Sequence, residues 1–379
     1  MQIFPLHPFR PQGDIPALRQ QVRALVAAHE HRWTPLQRAN CWFSFDPEFS
    51  RAMGAAGLLG MTWPKQYGGH ERTMLERYVV LEELLAAGAP AGLHWIADRQ
   101  TGALLVRYGT EAQREKYLPG MARGEVYACI GLSEPNSGSD LASVRTFARK
   151  TNEGWLVNGQ KVWTSGAHKS HAALTLLRTE EGSERQQGLS QLMIDLDTPG
   201  ITIRPIIDMT GTHHFNEIFF EDVLLPHDAL VGVEGQGWKQ VTAELALERS
   251  GPERYLSSHV LLVALIDAIG PNPNDEIAEL IGRLTAEMWT LRQMSMSTAA
   301  KLDAGEDPIV EAAIVKDLGN AYEQALPRLV QAATDTDLAG SSALSQLLAY
   351  YLLAAPSFSL RGGTPEVLRG IIAKGLGLR

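Results

Sequence analysis

Apolar positions recur at helical spacing through the first third of the chain. After Asp14, a residue type that caps helix starts, Ile15, Leu18, Val22, Leu25 and Val26 share one face over 14–31. Similar spacing predicts helices over 46–56, 74–87, 93–106 and 111–122, divided by stretches such as Trp63-Pro-Lys-Gln-Tyr-Gly-Gly69. The period then changes. Segments 125–131, 142–149, 154–165, 172–178, 190–196, 201–208 and 214–224 are short, β-rich and often alternating, with Asn-Glu-Gly, Asn-Gly and Thr-Pro-Gly as turns. That spacing predicts a small antiparallel barrel or sandwich. From Gly235 the helical period returns, over 237–268, 274–303, 307–335 and 341–354. The expected class is α+β: a helical domain over 1–124, a β-domain over 125–233 and a helical bundle over 234–379.

Composition narrows the function classes. With 379 residues, two or three domains are expected. A formal charge of −9 without any Lys/Arg-rich block argues against a nucleic-acid surface. Cys41 and Cys129 stand at no metal-like spacing and make no disulfide framework, which favours a reducing cytosol. The start, Met1-Gln-Ile-Phe-Pro-Leu-His-Pro8, lacks a basic segment followed by an apolar one, so no secretory signal is expected. The apolar stretches 260–269 and 347–355 are too short to span a bilayer, and a soluble cytoplasmic protein is expected.

Two runs carry candidate chemistry. Cys129-Ile-Gly-Leu-Ser-Glu-Pro-Asn-Ser-Gly-Ser-Asp140 ends a β-type stretch in small hydroxyls and a Gly/Ser turn whose N–H groups can face a ligand. Asn158-Gly-Gln-Lys-Val-Trp-Thr-Ser-Gly166 sets a Trp beside a hydroxyl donor at a strand end, which suits a flat, polar-edged ring. Taken singly, Ser-Xaa-Ser turns cap structure everywhere and a strand Trp usually belongs to a core. In this order and spacing the two runs resemble the flavin-binding strands of the acyl-CoA dehydrogenase family. Tyr108-Gly-Thr-Glu-Ala-Gln-Arg-Glu-Lys-Tyr-Leu-Pro119 resembles the family's approach to its β-domain. Phe215-Asn-Glu-Ile-Phe-Phe-Glu-Asp-Val223 with Gly232-Val-Glu-Gly-Gln-Gly-Trp238 resembles the exit, and Gly362-Gly-Thr-Pro-Glu-Val-Leu-Arg-Gly-Ile-Ile-Ala373 the closing signature.

The resemblance implies an N-terminal helical bundle, a middle β-barrel or sandwich and a C-terminal four-helix bundle. It implies FAD as cofactor, an acyl-CoA substrate and an electron-transferring flavoprotein as acceptor. Leu132 and Ser133 would meet the flavin ring edges, Trp163 would cover the ring and Ser165 would donate toward N5. Ser139 would contact the FAD pyrophosphate or the substrate's pantetheine arm, and Thr364 would belong to the cofactor set. The implied reaction is α,β-dehydrogenation of an acyl thioester: a carboxylate removes the α-proton while the β-hydrogen leaves as hydride to the flavin. Such a base must be dry, and the thioester oxygen must be held by preorganised donors.

Many family members carry that base immediately before the Gly-Thr of the closing signature, where this chain has Gly362. Isovaleryl- and long-chain-type members carry it instead on the first long C-terminal helix, before an Arg. Leu245-Ala-Leu-Glu-Arg-Ser250 puts Glu248 and Arg249 in that place. Glu248 is therefore the expected base, with Arg249 orienting it or facing the substrate. The backbone N–H of Gly362 would hold the thioester oxygen.

Two features expected of the family are missing. Ile266-Asp-Ala-Ile-Gly-Pro-Asn-Pro-Asn-Asp-Glu276 stands where an Arg-x-x-Phe-Gly segment would reach FAD across a dimer, and 332–345 does not reproduce a Gly-Gly-x-Gly loop that clasps adenosine. Three arrangements are compatible with this: a homodimer or homotetramer with other contacts, a heterotetramer with a second family chain, as members in bacterial steroid and side-chain catabolism form, or a chain without catalysis. A same-fold oxidase or monooxygenase is a further alternative. Adjacent His213 and His214 would point to opposite strand faces and form no metal site.

Overall fold

A computed structural model describes residues 13–378, without the side chains of 243–248. The Met1–Pro8 run considered above for a signal lies outside the described residues. The first seven helices are α1 (Ile15–His29), α2 (Pro35–Ala39), α3 (Pro47–Ala55), α4 (Met74–Ala86), α5 (Gly92–Ile96), α6 (Gly102–Tyr108) and α7 (Glu111–Ala122). Asp14 caps α1 by accepting the Ala17 N–H at 3.0 Å, and Thr34, Thr73 and Thr110 form capping boxes on α2, α4 and α7. The single helix expected over 93–106 is two helices joined by a π-turn at Ala97–Thr101.

The middle strands are β1 (Ala128–Gly131), β2 (Phe147–Lys150), β3 (Trp155–Ser165), β4 (Ala172–Arg178), β5 (Leu189–Asp195), β6 (Ile201–Ile207), β7 (His213–Leu225) and β8 (Leu230–Val231). They form one eight-stranded sheet in the order β6-β7-β3-β2-β4-β5-β8, with β1 beside β4. The expectation of a purely antiparallel arrangement is corrected at two places, since β1 and β2 both pair with β4 in parallel. β1 runs parallel to β4 because the β2–β3 hairpin intervenes and returns the chain in the same direction. The strand expected from 142 begins at Phe147, since Leu141–Ser143 wind into a 3-10 turn and the Ser137 and Ser143 hydroxyls donate to the Asp140 carbonyl.

The remaining helices are α8 (Gly237–Glu248), α9 (His259–Ile269), α10 (Asp275–Asp303), α11 (Ile309–Ala333), α12 (Ala343–Ala354) and α13 (Pro365–Gly375). The continuous helix expected over 237–268 is broken after Glu248. Gly251 and Pro252 interrupt it, because proline has no N–H to offer the ladder, and Pro252–Arg254 form a 3-10 turn instead. Among the described residues, no helix is long and apolar enough to cross a membrane.

By compactness the chain divides into two units. Of the described residues, one contains 13–44, Arg72–Pro90 and 246–378; the other contains Phe45–Glu71 and Ala91–Leu245. The second unit holds the sheet, with Cys129, Trp155, Val157, Leu177, Ile194 and Ile218 buried in one cluster. In the first unit α10 and α11 bury Leu284, Leu326 and Val330 completely.

Candidate active site

In the β-domain unit, the residues singled out from the sequence cluster where segment 132–134 meets β3. Lys161 pairs with Ile218 of β7 and Thr164 pairs with Asn216, so β3 advances three residues while β7 advances two. The extra residue is a β-bulge, a device that re-aims side chains. It places Trp163 at φ +60°, a backbone region that non-glycine residues enter at a cost of about 1–3 kcal/mol. The indole is 56% exposed and meets Phe215 edge-on at 5.6 Å. A large apolar ring presented to solvent from a strained bulge has a free face against which another flat group can stack.

Around it, Ser133 is half-buried and its carbonyl accepts the Val162 N–H at 2.9 Å. Leu132 packs on the cluster of Leu141, Val144, Leu176, Leu189 and Val241. Ser165 is half-buried and lies opposite Phe215. Ser139 is different: it sits on the exposed turn beyond Ser137.

Two residues of this region were not singled out from the sequence. Lys161 is completely buried, and its ammonium donates to the Leu132 carbonyl at 3.0 Å and to the Glu134 carboxylate at 2.8 Å. Burial pushes the lysine down to about 8, against the opposing pull of Glu134. Burial would raise Glu134, but Lys161 and the N–H groups of Arg145 and Thr146 outweigh it and hold the carboxyl below its ordinary value. A signal was present: Lys161 falls on the inward positions of β3 with Trp155 and Val157.

In the other unit, Glu248 is the last residue of α8, and its side chain lies outside the described residues. The next residue, Arg249, is buried and its Nε–H donates to the Gly362 carbonyl at 3.0 Å. Gly362 and Gly363 have φ of +72° and +108°, which glycine alone adopts readily. A Cβ at position 362 would come within 3.1 Å of Arg254 Nη2. That guanidinium is fully buried over the Trp42 ring at 5.5 Å, and Arg361 approaches the same ring at 5.2 Å. Arg361 also donates to Glu323 at 3.0 Å. Sequence spacing carried no signal for Arg254. Thr364 is half-buried at the start of α13.

The isoalloxazine half of FAD fits the β-domain set, which offers an exposed aromatic face, half-buried hydroxyls and an apolar side chain. The segments lacking the family's adenosine contacts border a cavity of about 690 Å³ in the other unit. Trp33, Val260 and Leu344 line it together with Asp267 and Asp337, one from each of those segments. Its Arg38 is engaged with Glu30 at 2.6 Å. Two carboxyl groups oppose a pyrophosphate there, so this cavity does not fit the other half of FAD.

His213 stacks on His168 at 3.8 Å and shares the Asn216 side-chain oxygen with it, while His214 bonds Thr212. Burial pushes His168 and His214 down to about 4, which leaves both neutral near pH 7. No group of three or more metal-binding side chains exists among the described residues.

The fold and site define a helical–β–helical α+β chain with a polar-rimmed aromatic platform on its β-domain. Residues 14–125 match the family model of the acyl-CoA dehydrogenase N-terminal domain, and 129–223 match that of the middle domain. The chain belongs to the acyl-CoA dehydrogenase family, a family of oxidoreductases. It is similar to the acyl-CoA dehydrogenase IpdE1 of Mycobacterium tuberculosis, 42% identical over 201 residues. That match covers 53% of this chain and about half, 52%, of the relative. It is also similar to IpdE1 of Mycolicibacterium smegmatis, 35% identical over 69% of this chain and 70% of the relative. Among solved structures, the ChsE4-ChsE5 complex from Mycobacterium tuberculosis superposes with a TM-score of 0.83 at 26% identity, covering 98% of this chain and 100% of the other.

The buried lysine gives a pH signature. Between about 8 and 10.5 the unfolded chain binds this proton and the folded chain does not, so the lysine's contribution to stability rises with pH. Denaturant midpoints measured across that interval should rise more steeply for the wild type than for Lys161→Met. Parallel profiles would contradict a depressed lysine.

Proposed function

We propose that the protein is a cytoplasmic, FAD-dependent acyl-CoA dehydrogenase of lipid catabolism that introduces an α,β double bond into an acyl thioester. The observation that carries this reading is the bond from Arg249 to the Gly362 carbonyl. It ties the helix end bearing Glu248 to the glycine loop where other family members keep their base. Glu248 takes the α-proton, and the Gly362 N–H holds the thioester oxygen as negative charge develops on it. Arg249 orients this loop and, with Ser139, contacts the substrate's CoA portion. Leu132, Ser133, Trp163 and Ser165 hold the flavin ring, and Thr364 completes the cofactor set. FAD bound there supplies the two-electron acceptor for the β-hydrogen, and an electron-transferring flavoprotein accepts the electrons afterwards. The two buried free cysteines, Cys41 and Cys129, suit a reducing compartment.

A second reading concerns assembly. The acidic cavity bordered by 266–276 and 332–345 favours a heteromer, in which a second family chain contributes the missing adenosine contacts, over a homo-oligomer. The two-chain complex among the similar structures supports the same choice. The chain purified alone should then retain little FAD, and co-expression with a companion dehydrogenase chain should raise its flavin content. One tightly held FAD per protomer in the isolated chain would exclude the heteromer.

For the chemistry, Glu248→Gln should keep flavin and acyl-CoA binding yet slow anaerobic flavin reduction by about 10²–10⁴-fold. Near-normal reduction by this variant would remove Glu248 as the base.

A further inference from the structure

Segment 132–134 is joined to β3 by bonds that converge on one buried side chain and the residue after it. Lys161 holds the Leu132 carbonyl and the Glu134 carboxylate, and Val162 donates its N–H to the Ser133 carbonyl. Glu134 is anchored from behind. Its Oε1 accepts from Lys161 and from the Thr146 N–H at 2.9 Å, and its Oε2 accepts the Arg145 N–H at 2.7 Å. The stem of Lys161 reaches this point along Gly131, where an added Cβ would lie 3.3 Å from Lys161 Cγ. The bulge that turns out Trp163 begins at the very next residue of β3.

We propose that the Glu134–Lys161 pair is a positioning device for the flavin ring, fixing Leu132 and Ser133 relative to the bulge that presents Trp163. The proposal rests on the flavin reading above. A buried ion pair adds little stability over well-packed apolar side chains of the same volume. It does, however, supply directional bonds that apolar groups cannot. Here one of those bonds goes to the backbone of Leu132, and the others lock the turn that follows Ser133. Side chains that must meet a rigid ring within a fraction of an ångström depend on such support.

The test compares wild type with Lys161→Met, Glu134→Gln and the double variant Glu134→Leu/Lys161→Met. Three quantities are read: FAD affinity by flavin fluorescence titration, the thermal midpoint of the apoprotein, and the indole N–H resonance of Trp163, assigned with Trp163→Phe. The double variant leaves no unpaired buried charge, so it keeps the test open if the single variants fail to fold. Its midpoint should equal or exceed that of the wild type while its FAD affinity falls about 10–100-fold, the loss typical when outer supporting groups of a bound centre are removed. The Trp163 resonance should move before any flavin is added. A folded double variant that binds FAD like the wild type, with the resonance unmoved, overturns the proposal. Wild-type protein that takes up no FAD, alone or with a companion chain, removes the flavin reading itself and the proposal with it.

Discussion

An ammonium group held out of water between a backbone carbonyl and a carboxylate sets the geometry of the β-domain. Lys161 has no exposed surface, and burying a charge is unfavourable unless every partner is in place. That requirement turns a flexible side chain into a fixed strut. It ties the segment after β1 to β3 at the residue where the bulge carrying Trp163 begins. The adjacent Thr146 adds a second tie, exchanging hydrogen bonds with Gln160 through its hydroxyl at 3.1 and 3.2 Å.

In the helical unit the comparable constraint is the approach of Arg254 to Gly362. A side chain at 362 would start 3.1 Å from a guanidinium and from a backbone with φ +72°. A glutamate there would pair with that cation, which favours its ionised form and weakens it as a base. The loop therefore disfavours a carboxylate at the family's commoner base position, in keeping with the proposal that Glu248 serves instead. The positive φ at both positions explains why Gly362 and Gly363 are glycines rather than merely small residues.

The periodicity of the chain made the order of elements legible, because long apolar repeats depend on local spacing alone. The break after Glu248 was less legible, although Gly251 and Pro252 are local signals; the apolar pattern of α9 masked them. Leu132, Ser133, Trp163 and Ser165 were singled out through the spacing of their runs, and the structure does bring these two runs together at β3, while Glu248 and Gly362 were singled out through their order. Three features were hidden for a common reason. The parallel β1–β4 pairing, the bonding of Lys161 to Leu132 and Glu134 and the placement of Arg254 under Gly362 all arise from contacts between residues distant in sequence. The cavity with Asp267 and Asp337 belongs with them: the missing adenosine segments were visible singly, but not that each brings a carboxyl group to one cavity.

The most direct test of the account is the visible spectrum of the oxidised, flavin-loaded protein during anaerobic addition of acyl-CoA thioesters of increasing bulk, alone and with a companion dehydrogenase chain. At least one thioester should bleach the flavin band in a single turnover. A protein that holds FAD yet is reduced by none of them in either setting would contradict the account.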